Sequence, residues 1–167
     1  MAPEIKDGIE RLRVLNRHLD EYDHGLIFRL SFGRSPLATL FSREDGAILR
    51  LNVALLRLLH YPPEKASFDL LKREGWIWLT HPDDRALDIE WAQKAAANEI
   101  AGYAITKRYR GWHDEWIWVR LNISFVHDPI HRSVAIVYVT PALIQGEAMV
   151  EVFNHDDGTT GTGGKRQ

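Results

Sequence analysis

The spacing of hydrophobic positions changes along the chain, and each spacing predicts a different element. Near the N-terminus a hydrophobic residue recurs every seven positions, at Ile5, Leu12, Leu19 and Leu26. This repeat, with Leu15 on the adjacent stripe, predicts an amphipathic helix over about residues 3–22. The helix either packs on its own domain or forms a short coiled-coil-like seam in a dimer. Residues 26–36 contain both hydrophobic and polar residues, and Gly33 and Pro36 indicate a turn.

Two short apolar runs, residues 37–41 and 47–51, flank the tripeptide Glu44-Asp45-Gly46. Asp-Gly between such runs predicts a β-hairpin whose two central residues both have positive φ. Asn52 is placed to cap a Leu-rich helix that runs to Tyr61, before Pro62-Pro63. Residues 68–80 are predicted to form a short helix followed by a loop.

The stretch Thr80-His81-Pro82-Asp83-Asp84 predicts the start of another helix. Proline suits a first helical turn, and the two carboxylates favour the positive end of the helix dipole. We expect His81 to cap or pack rather than bind a metal. The helix is predicted to bury a face that carries Leu87, Trp91 and Ala95, and to end near Asn98.

From Tyr103 onward the period becomes two, which indicates half-buried strands. Residues 103, 105, 107 and 109 share one side of the first strand. In the second, the apolar row from Ile117 to Phe125 opposes Trp116 and Trp118. Residues 134–139 read as a strand buried on both faces. The Gly- and Thr-rich residues 154–167 are expected to be disordered. These elements predict an α+β domain with one antiparallel sheet of five strands.

Residues from about 37 to 140 resemble a PAS domain, of the subtype with a His-Pro-Asp-Asp helix start and a Trp-containing C-terminal strand. The matching pieces are Asp45 to Ile48 with Asn52, Thr80 to Asp84, Lys107 to Tyr109, Trp118 to Leu121 and Val126 to Asp128. The resemblance implies helices on one sheet face that enclose a pocket for a cofactor or metabolite. The other face would dock flanking helices or a second protomer. The predicted domains are therefore residues 1–36 (helix and connector), 37–142 (PAS domain) and 143–167 (extension).

Two positions depart from the PAS pattern. His60 stands where the family usually has Gly, directly before Tyr61. His113-Asp114 stands where the family has an Asp-Gly hairpin. Because glycine is the residue that most readily adopts positive φ, we expect an altered loop over residues 111–115.

Composition excludes several kinds of chemistry. The formal charge is −2 and the pI is about 6.4, so no basic surface for nucleic acid is expected. The chain has no Cys, which excludes disulfides and a flavin held as a cysteine adduct, whereas a flavin bound without a covalent link stays open. Haem is not expected, because no His lies between Pro82 and Asn98, where haem-binding PAS domains place the axial ligand. No His-Glu-x-x-His or Gly-x-Ser-x-Gly motif is present, so neither a metal site nor a hydrolase is expected.

The sequence predicts a non-enzymatic sensory or regulatory module that binds a small ligand, dimerises, or does both. It carries no output domain, so the signal would pass to a separate signalling protein, or the chain would be part of a larger one. No apolar run is long enough to span a membrane, and a cytoplasmic location is the expectation. The pocket candidates implied by the resemblance are Trp91, Ile105, Leu121 and Phe125.

The outward Trp116 and Trp118 predict an apolar patch on the open sheet face that needs a cover. The N-terminal helix, through Leu12, Leu15 and Leu19, is the predicted cover, within one chain or across a homodimer. The simpler interpretation is that the aliphatic parts of neighbouring side chains, such as Arg120, cover the apolar patch. The alternative function is a ligand-free protein-interaction module with a filled core. An enzyme would require a polar cluster in the cavity, of which the sequence gives no sign.

Overall fold

The computed structural model describes residues 24–127 and 133–155, and the chain divides after Arg34 into two compact units. The described part of the first unit is helix α1 (His24–Arg34). The turn predicted at Gly33 is wrong, because the helix continues through this exposed glycine. An isolated glycine in a helix is tolerated at modest cost. The helix predicted over residues 3–22, with Leu12, Leu15 and Leu19, lies outside the described residues.

The second unit is built on one antiparallel sheet, which confirms the predicted α+β fold class. Its strands are β1 (Ala38–Ser42), β2 (Ile48–Leu51), β3 (Gly102–Arg110), β4 (Trp116–Val126), β5 (Val134–Pro141) and β6 (Met149–Phe153), in the order β2-β1-β5-β4-β3-β6. In the described residues the sheet has six strands rather than the five predicted. The sixth, β6, comes from the segment described above as an extension and pairs with β3, from Thr106–Met149 to Gly102–Phe153.

The described part of this unit also contains three helices: α2 (Val53–Leu58), α3 (Lys65–Leu79) and α4 (Pro82–Ala96). The predicted loop at the end of α3 is instead a further helical turn beyond a kink at Gly75, which has φ 81° and ψ 174°. A Cβ atom at this position would lie 2.4 Å from the Gly46 carbonyl oxygen. Gly75 is therefore required both by its backbone conformation and by close packing against the β1–β2 turn.

The β1–β2 hairpin forms where it was predicted, with a different turn. The Arg43 amide donates to the Ala47 carbonyl at 2.9 Å, and the Gly46 amide donates to Arg43 at 3.2 Å. Gly46 has φ 102°, whereas Asp45 is not in the left-handed region. The prediction of positive φ at both central residues is wrong, because the loop has three residues and needs one left-handed position at its end.

The β3–β4 hairpin closes in the same way without a glycine at the left-handed position. The Gly111 amide donates to the Glu115 carbonyl at 2.8 Å, and the Asp114 amide donates to Gly111 at 3.2 Å. Asp114 takes φ 62°, a conformation that Asp tolerates better than most residues. The loop over residues 111–115 is a regular three-residue hairpin loop, so the expectation of a longer or altered loop is wrong.

Helix α2 is capped at both ends by residues that the sequence singled out. The Asn52 Oδ1 atom accepts from the Leu55 amide at 3.1 Å, which confirms the predicted cap. At the other end His60 has φ 63°, and the Tyr61 amide donates to the Leu56 carbonyl at 2.8 Å. This Schellman-type closure ends the helix before Tyr61. It also shows why a glycine would suit the position of His60.

Candidate functional site

The start of α4 is fastened to strand β3. The His81 Nδ1 atom accepts from the Asp83 amide at 3.2 Å, and Pro82 is the first helical residue, so the predicted capping role of His81 is confirmed. The His81 amide donates to the Arg108 carbonyl at 3.0 Å. Thr80 forms an isolated bridge with Tyr109. The helix therefore begins at a fixed point on the edge of the sheet.

Asp84 does more than supply charge at a helix start, which was its predicted role. Its buried carboxylate accepts from the Arg108 Nε atom at 3.0 Å, the Nη2 atom at 2.7 Å and the backbone amide at 2.9 Å. Burial raises the pKa of Asp84, but the hydrogen bonds from Arg108 outweigh it, so the pKa lies below 3.8. The ion pair of Asp84 and Arg108 therefore links α4 to β3.

The side of α4 that faces the sheet carries two aspartates. Its buried residues are Asp84, Asp88, Ala92 and Ala95, whereas Leu87 and Trp91 are only half-buried. The predicted apolar face of Leu87, Trp91 and Ala95 packs against the core, but only Ala95 is fully buried. A buried aspartate reads as polar in any hydrophobic pattern, so the predicted face is centred roughly 55° around the helix from the buried stripe.

One turn into α4, the Asp88 carboxylate forms a buried ion pair with the Lys107 ammonium group of β3. The Tyr103 hydroxyl donates to Asp88 Oδ1 at 3.1 Å, and Lys107 Nζ donates to Thr80 Oγ1 at 3.1 Å. The same ammonium lies 4.5 Å from the centroid of the Tyr109 ring. We call Asp88, Lys107, Tyr103 and Thr80 the buried polar cluster.

Burial sets the protonation behaviour of this cluster. Desolvation lowers the pKa of Lys107, and the Asp88 charge opposes that shift. Desolvation, followed by the charge of Asp88, raises the pKa of Tyr103 and of Tyr109 well above 10. Both tyrosines are therefore neutral hydroxyls over the whole physiological range.

A small cavity of about 20 Å3 adjoins the buried polar cluster. Asp88, Lys107 and Tyr103 form part of its wall, together with Tyr109 and Ser42. Its apolar wall consists of Leu40, Trp76, Ala92, Leu121, Ile123, Phe125, Ala135 and Val137. Pockets that hold drug-sized ligands have volumes of about 300–1,000 Å3, so the space here is that of roughly one water molecule.

Two of the four predicted pocket residues line this cavity, namely Leu121 and Phe125. Ile105 lies on the same side of β3 as Tyr103 and Lys107 but is not part of the cavity wall. It is completely buried between its register partners on β4 and β6. Trp91 is half-buried on α4, where the Lys94 ammonium lies 4.2 Å from its ring centroid. It misses the cavity because the buried stripe of the helix passes one position away, through Ala92.

The opposite face of the sheet carries an arginine–tryptophan cluster. The Arg110 guanidinium carbon lies 4.7 Å from the Trp78 ring centroid and 5.2 Å from that of Trp116. The Arg108 guanidinium lies 5.1 Å from the Trp118 ring centroid. Both predicted interface tryptophans are half-buried under cross-strand arginine partners. Their stacking partners are therefore Arg108 and Arg110 rather than Arg120, which pairs with Glu151 at 2.7 Å.

The sequence contained a weak signal for the buried polar cluster. Lys107 stands in a strand row with Tyr103, Ile105 and Tyr109, where a lysine on an otherwise buried side needs an anionic partner. Asp84 and Asp88 lie four residues apart, on one side of a helix. Only the antiparallel packing of α4 on β3 could show that these two features meet.

In the described residues, no group of three or more His, Asp or Glu side chains is placed to hold a metal ion. Within the same residues, 24–127 and 133–155, no helix combines the length and the hydrophobicity needed to cross a bilayer.

Solved structures share this architecture. A PAS domain of a Colwellia psychrerythraea protein superimposes with a TM-score of 0.59 at 13% identity, covering 72% of this chain and 98% of that one. A PAS domain of an HTR-like protein from Haloarcula marismortui gives 0.54 at 15% identity, covering 78% and 99%. This chain has the PAS fold. A PAS domain from a two-component sensor histidine kinase gives 0.53 at 20% identity, covering 76% and 99%.

Similarity in sequence is more limited than similarity in fold. The chain is 27% identical over 114 residues to the probable diguanylate cyclase DgcE of Escherichia coli strain K12. The match covers 68% of this chain and 10% of that protein, so the chain spans about a tenth of the length of this curated relative. No protein-family model matches the chain. The assignment of the PAS fold therefore rests on structural similarity.

Proposed function

We propose that this chain is a regulatory signalling module of PAS fold that works through protein contacts, with a core that holds no organic cofactor. The supporting observation is the size of the cavity beside the buried polar cluster. At about 20 Å3 the space is more than tenfold smaller than the roughly 300 Å3 at which ligand pockets begin. This favours the ligand-free alternative over the cofactor or metabolite pocket that the family resemblance implies.

Large side chains occupy the region between the sheet and the helices. Trp76 lines the cavity, and its indole donates to the Arg43 carbonyl at 2.7 Å, which ties the ring to the β1–β2 turn. Tyr103 and Tyr109 are each about 1% exposed. A ligand of the size of a flavin would have to displace these rings and the buried ion pair. The polar cluster that an enzyme would need is present, but its groups bind one another, so the proposed function includes no catalytic step.

The proposed output is self-association or contact with a signalling partner. The E. coli relative is a probable diguanylate cyclase about ten times longer than the matched region, which supports a role for such a module within a multidomain signalling protein. We propose that the outer sheet face around Trp116 and Trp118 and the N-terminal residues Leu12, Leu15 and Leu19 take part in a homodimer. The signal would then pass to a separate output protein or to another part of a longer chain.

Sedimentation velocity of the full chain tests this function. The wild type should sediment as a concentration-dependent dimer, and the triple variant Leu12→Asp/Leu15→Asp/Leu19→Asp should be a folded monomer. Leu143→Asp is the matched control, because Leu143 is 100% exposed. A wild type that stays monomeric at all concentrations, or a triple variant that still dimerises, would contradict the proposed interface.

A further inference from the structure

We propose that His60 and Glu115 form a pH-sensitive contact that holds the β3–β4 hairpin loop on the C-terminal end of α2. The His60 Nδ1 atom lies 2.7 Å from Glu115 Oε1, although the two residues are 55 positions apart in the sequence. His60 and the loop over residues 111–115 are the two places where the sequence departs from the PAS pattern. The structure brings these two departures into contact. This inference does not depend on the proposed function.

The hairpin loop packs on the end of α2 through backbone and ring contacts. The Trp112 amide donates to the Leu59 carbonyl at 3.1 Å. The Tyr61 hydroxyl donates to the Arg110 carbonyl at 3.3 Å, and the rings of Tyr61 and Trp112 meet edge to face, with centroids 5.5 Å apart. Tyr61 is only 3% exposed. Movement of the loop away from α2 would therefore break the hydrogen bond of the Trp112 amide and expose Tyr61.

The Glu115 carboxylate is the charged group of the loop that reaches the end of α2. Its Oε1 atom accepts from His60, and its Oε2 atom accepts from the His113 amide at 2.9 Å. Gly111 leaves room for this carboxylate, because a Cβ atom there would lie 2.4 Å from the Glu115 carboxyl carbon. The hydrogen bond from His60 lowers the pKa of Glu115 below its ordinary value of 4.5. The carboxylate is therefore ionised at neutral pH.

Protonation of His60 changes the strength of this contact without removing it. A carboxylate only accepts hydrogen bonds, so the His60 ring carries a hydrogen on Nδ1 in both charge states. Histidine side chains ordinarily lose the other ring proton between about pH 5 and 8. With the ring charged, the hydrogen bond joins two ions, and such bonds are roughly twice as strong as bonds between neutral groups. The loop should therefore be held more tightly at low pH.

Other charged and titratable groups lie near this contact. Arg110 and Asp114 pair with each other at 3.4 Å, so their charges offset one another. The Tyr61 hydroxyl is neutral, because burial raises its pKa to about 12. Arg57, in the last turn of α2, and His113, in the loop, have exposed side chains. Among these groups only a histidine changes charge near neutral pH, so His113 provides the control.

Hydrogen exchange of the Trp112 amide, followed by NMR on the full chain, tests the inference. We expect its protection factor, which corrects for the intrinsic effect of pH, to be about two- to fivefold higher at pH 5.5 than at pH 8. His60→Gln keeps an N–H donor but cannot change charge, so it should remove this dependence. His113→Gln should keep it.

A wild-type protection factor that is equal at the two pH values would overturn the proposal. An unchanged pH dependence in His60→Gln would also overturn it. If His60→Gln does not fold, Glu115→Gln decides the result, because it leaves the end of α2 intact and removes the carboxylate charge. Loss of the pH dependence in this variant supports the contact, and its persistence contradicts it.

Discussion

The Lys107 ammonium group and the Asp88 carboxylate pair with each other where the two side chains are only 1% and 2% exposed. The pair joins β3 to α4 through the middle of the core. Each charge makes the burial of the other tolerable, because an isolated buried charge loses its hydration without compensation. The pair therefore links one position of α4 to one position of β3.

Removing one partner of this pair should destabilise the protein strongly. Lys107→Met leaves Asp88 buried and unpaired, and we expect it to lower the free energy of unfolding by about 3–5 kcal/mol. Lys107→Met/Asp88→Leu removes both charges and should recover at least half of that loss. Urea unfolding measures both values.

The matched control is the exposed pair of Glu90 and Lys94 on the same helix, in contact at 2.6 Å. Lys94→Met should change the free energy of unfolding by no more than about 0.5 kcal/mol. A double variant at Asp88 and Lys107 that is less stable than Lys107→Met alone would contradict the role given to the buried pair.

The ion pair of Asp84 with Arg108 should make the folded protein less stable in acid. Its folded-state pKa lies below 3.8, so the carboxylate contributes stability that is fully present above 3.8 and is lost as the pH falls through the folded-state pKa. In Asp84→Asn this part of the acid dependence should disappear, and the variant should be less stable at neutral pH. Asp83→Asn, at a side chain that is 77% exposed, is the control. Equal acid dependence of Asp84→Asn and the wild type would refute this assignment.

The two hairpin loops predict opposite responses to glycine. Asp114 has φ 62°, so Asp114→Gly relieves a left-handed conformation and should raise the free energy of unfolding by up to about 1 kcal/mol. Asp45 is not left-handed, and its carboxylate accepts from the Ala47 amide at 3.1 Å, so Asp45→Gly should cost about 1 kcal/mol. Thermal unfolding checks both signs. Destabilisation by both substitutions would show that the left-handed residue is not what distinguishes the loops.

Strand β6 should protect the edge of β3. It pairs with residues 102–106, and the Glu151 carboxylate binds Arg120 at 2.7 Å. A chain that ends at Ala142 exposes the backbone groups of β3, so it should unfold at lower temperature and scatter light as concentration rises. A chain that ends at His155 keeps β6 and is the control. If the shorter chain is as stable and as monodisperse as the control, β6 has no protective role.

The sequence predicted most strands, but the expectation that β5 is buried on both faces is wrong, because only alternate residues of this strand are buried. Strand β4 alternates from Ile117 to Phe125, and the caps at Asn52 and His81 have the local signals that the structure confirms. Strand β6 is as short as β1 and β2, but it was missed because no Asp-Gly turn, like the one between those two strands, marks it in the sequence. The PAS subtype stays a prediction.

Much less of the candidate site could be predicted from the sequence. Alternation placed Leu121 and Phe125 on the core side of β4, but the residues that fill the core include Asp88 and Lys107. A hydrophobic pattern assigns charged residues to the surface, and only their pairing across two elements makes burial tolerable. The small size of the cavity also depends on where Trp76 lies after the kink at Gly75, which no periodicity reports.

Native mass spectrometry of the freshly purified full chain, combined with its absorbance spectrum, tests the central claim most directly. The account predicts the mass of the 19.2 kDa polypeptide, or twice that mass, and no absorbance beyond that of its Trp and Tyr residues. A stoichiometric organic molecule retained in the native ion, or the absorbance of a flavin or haem, would contradict a filled core.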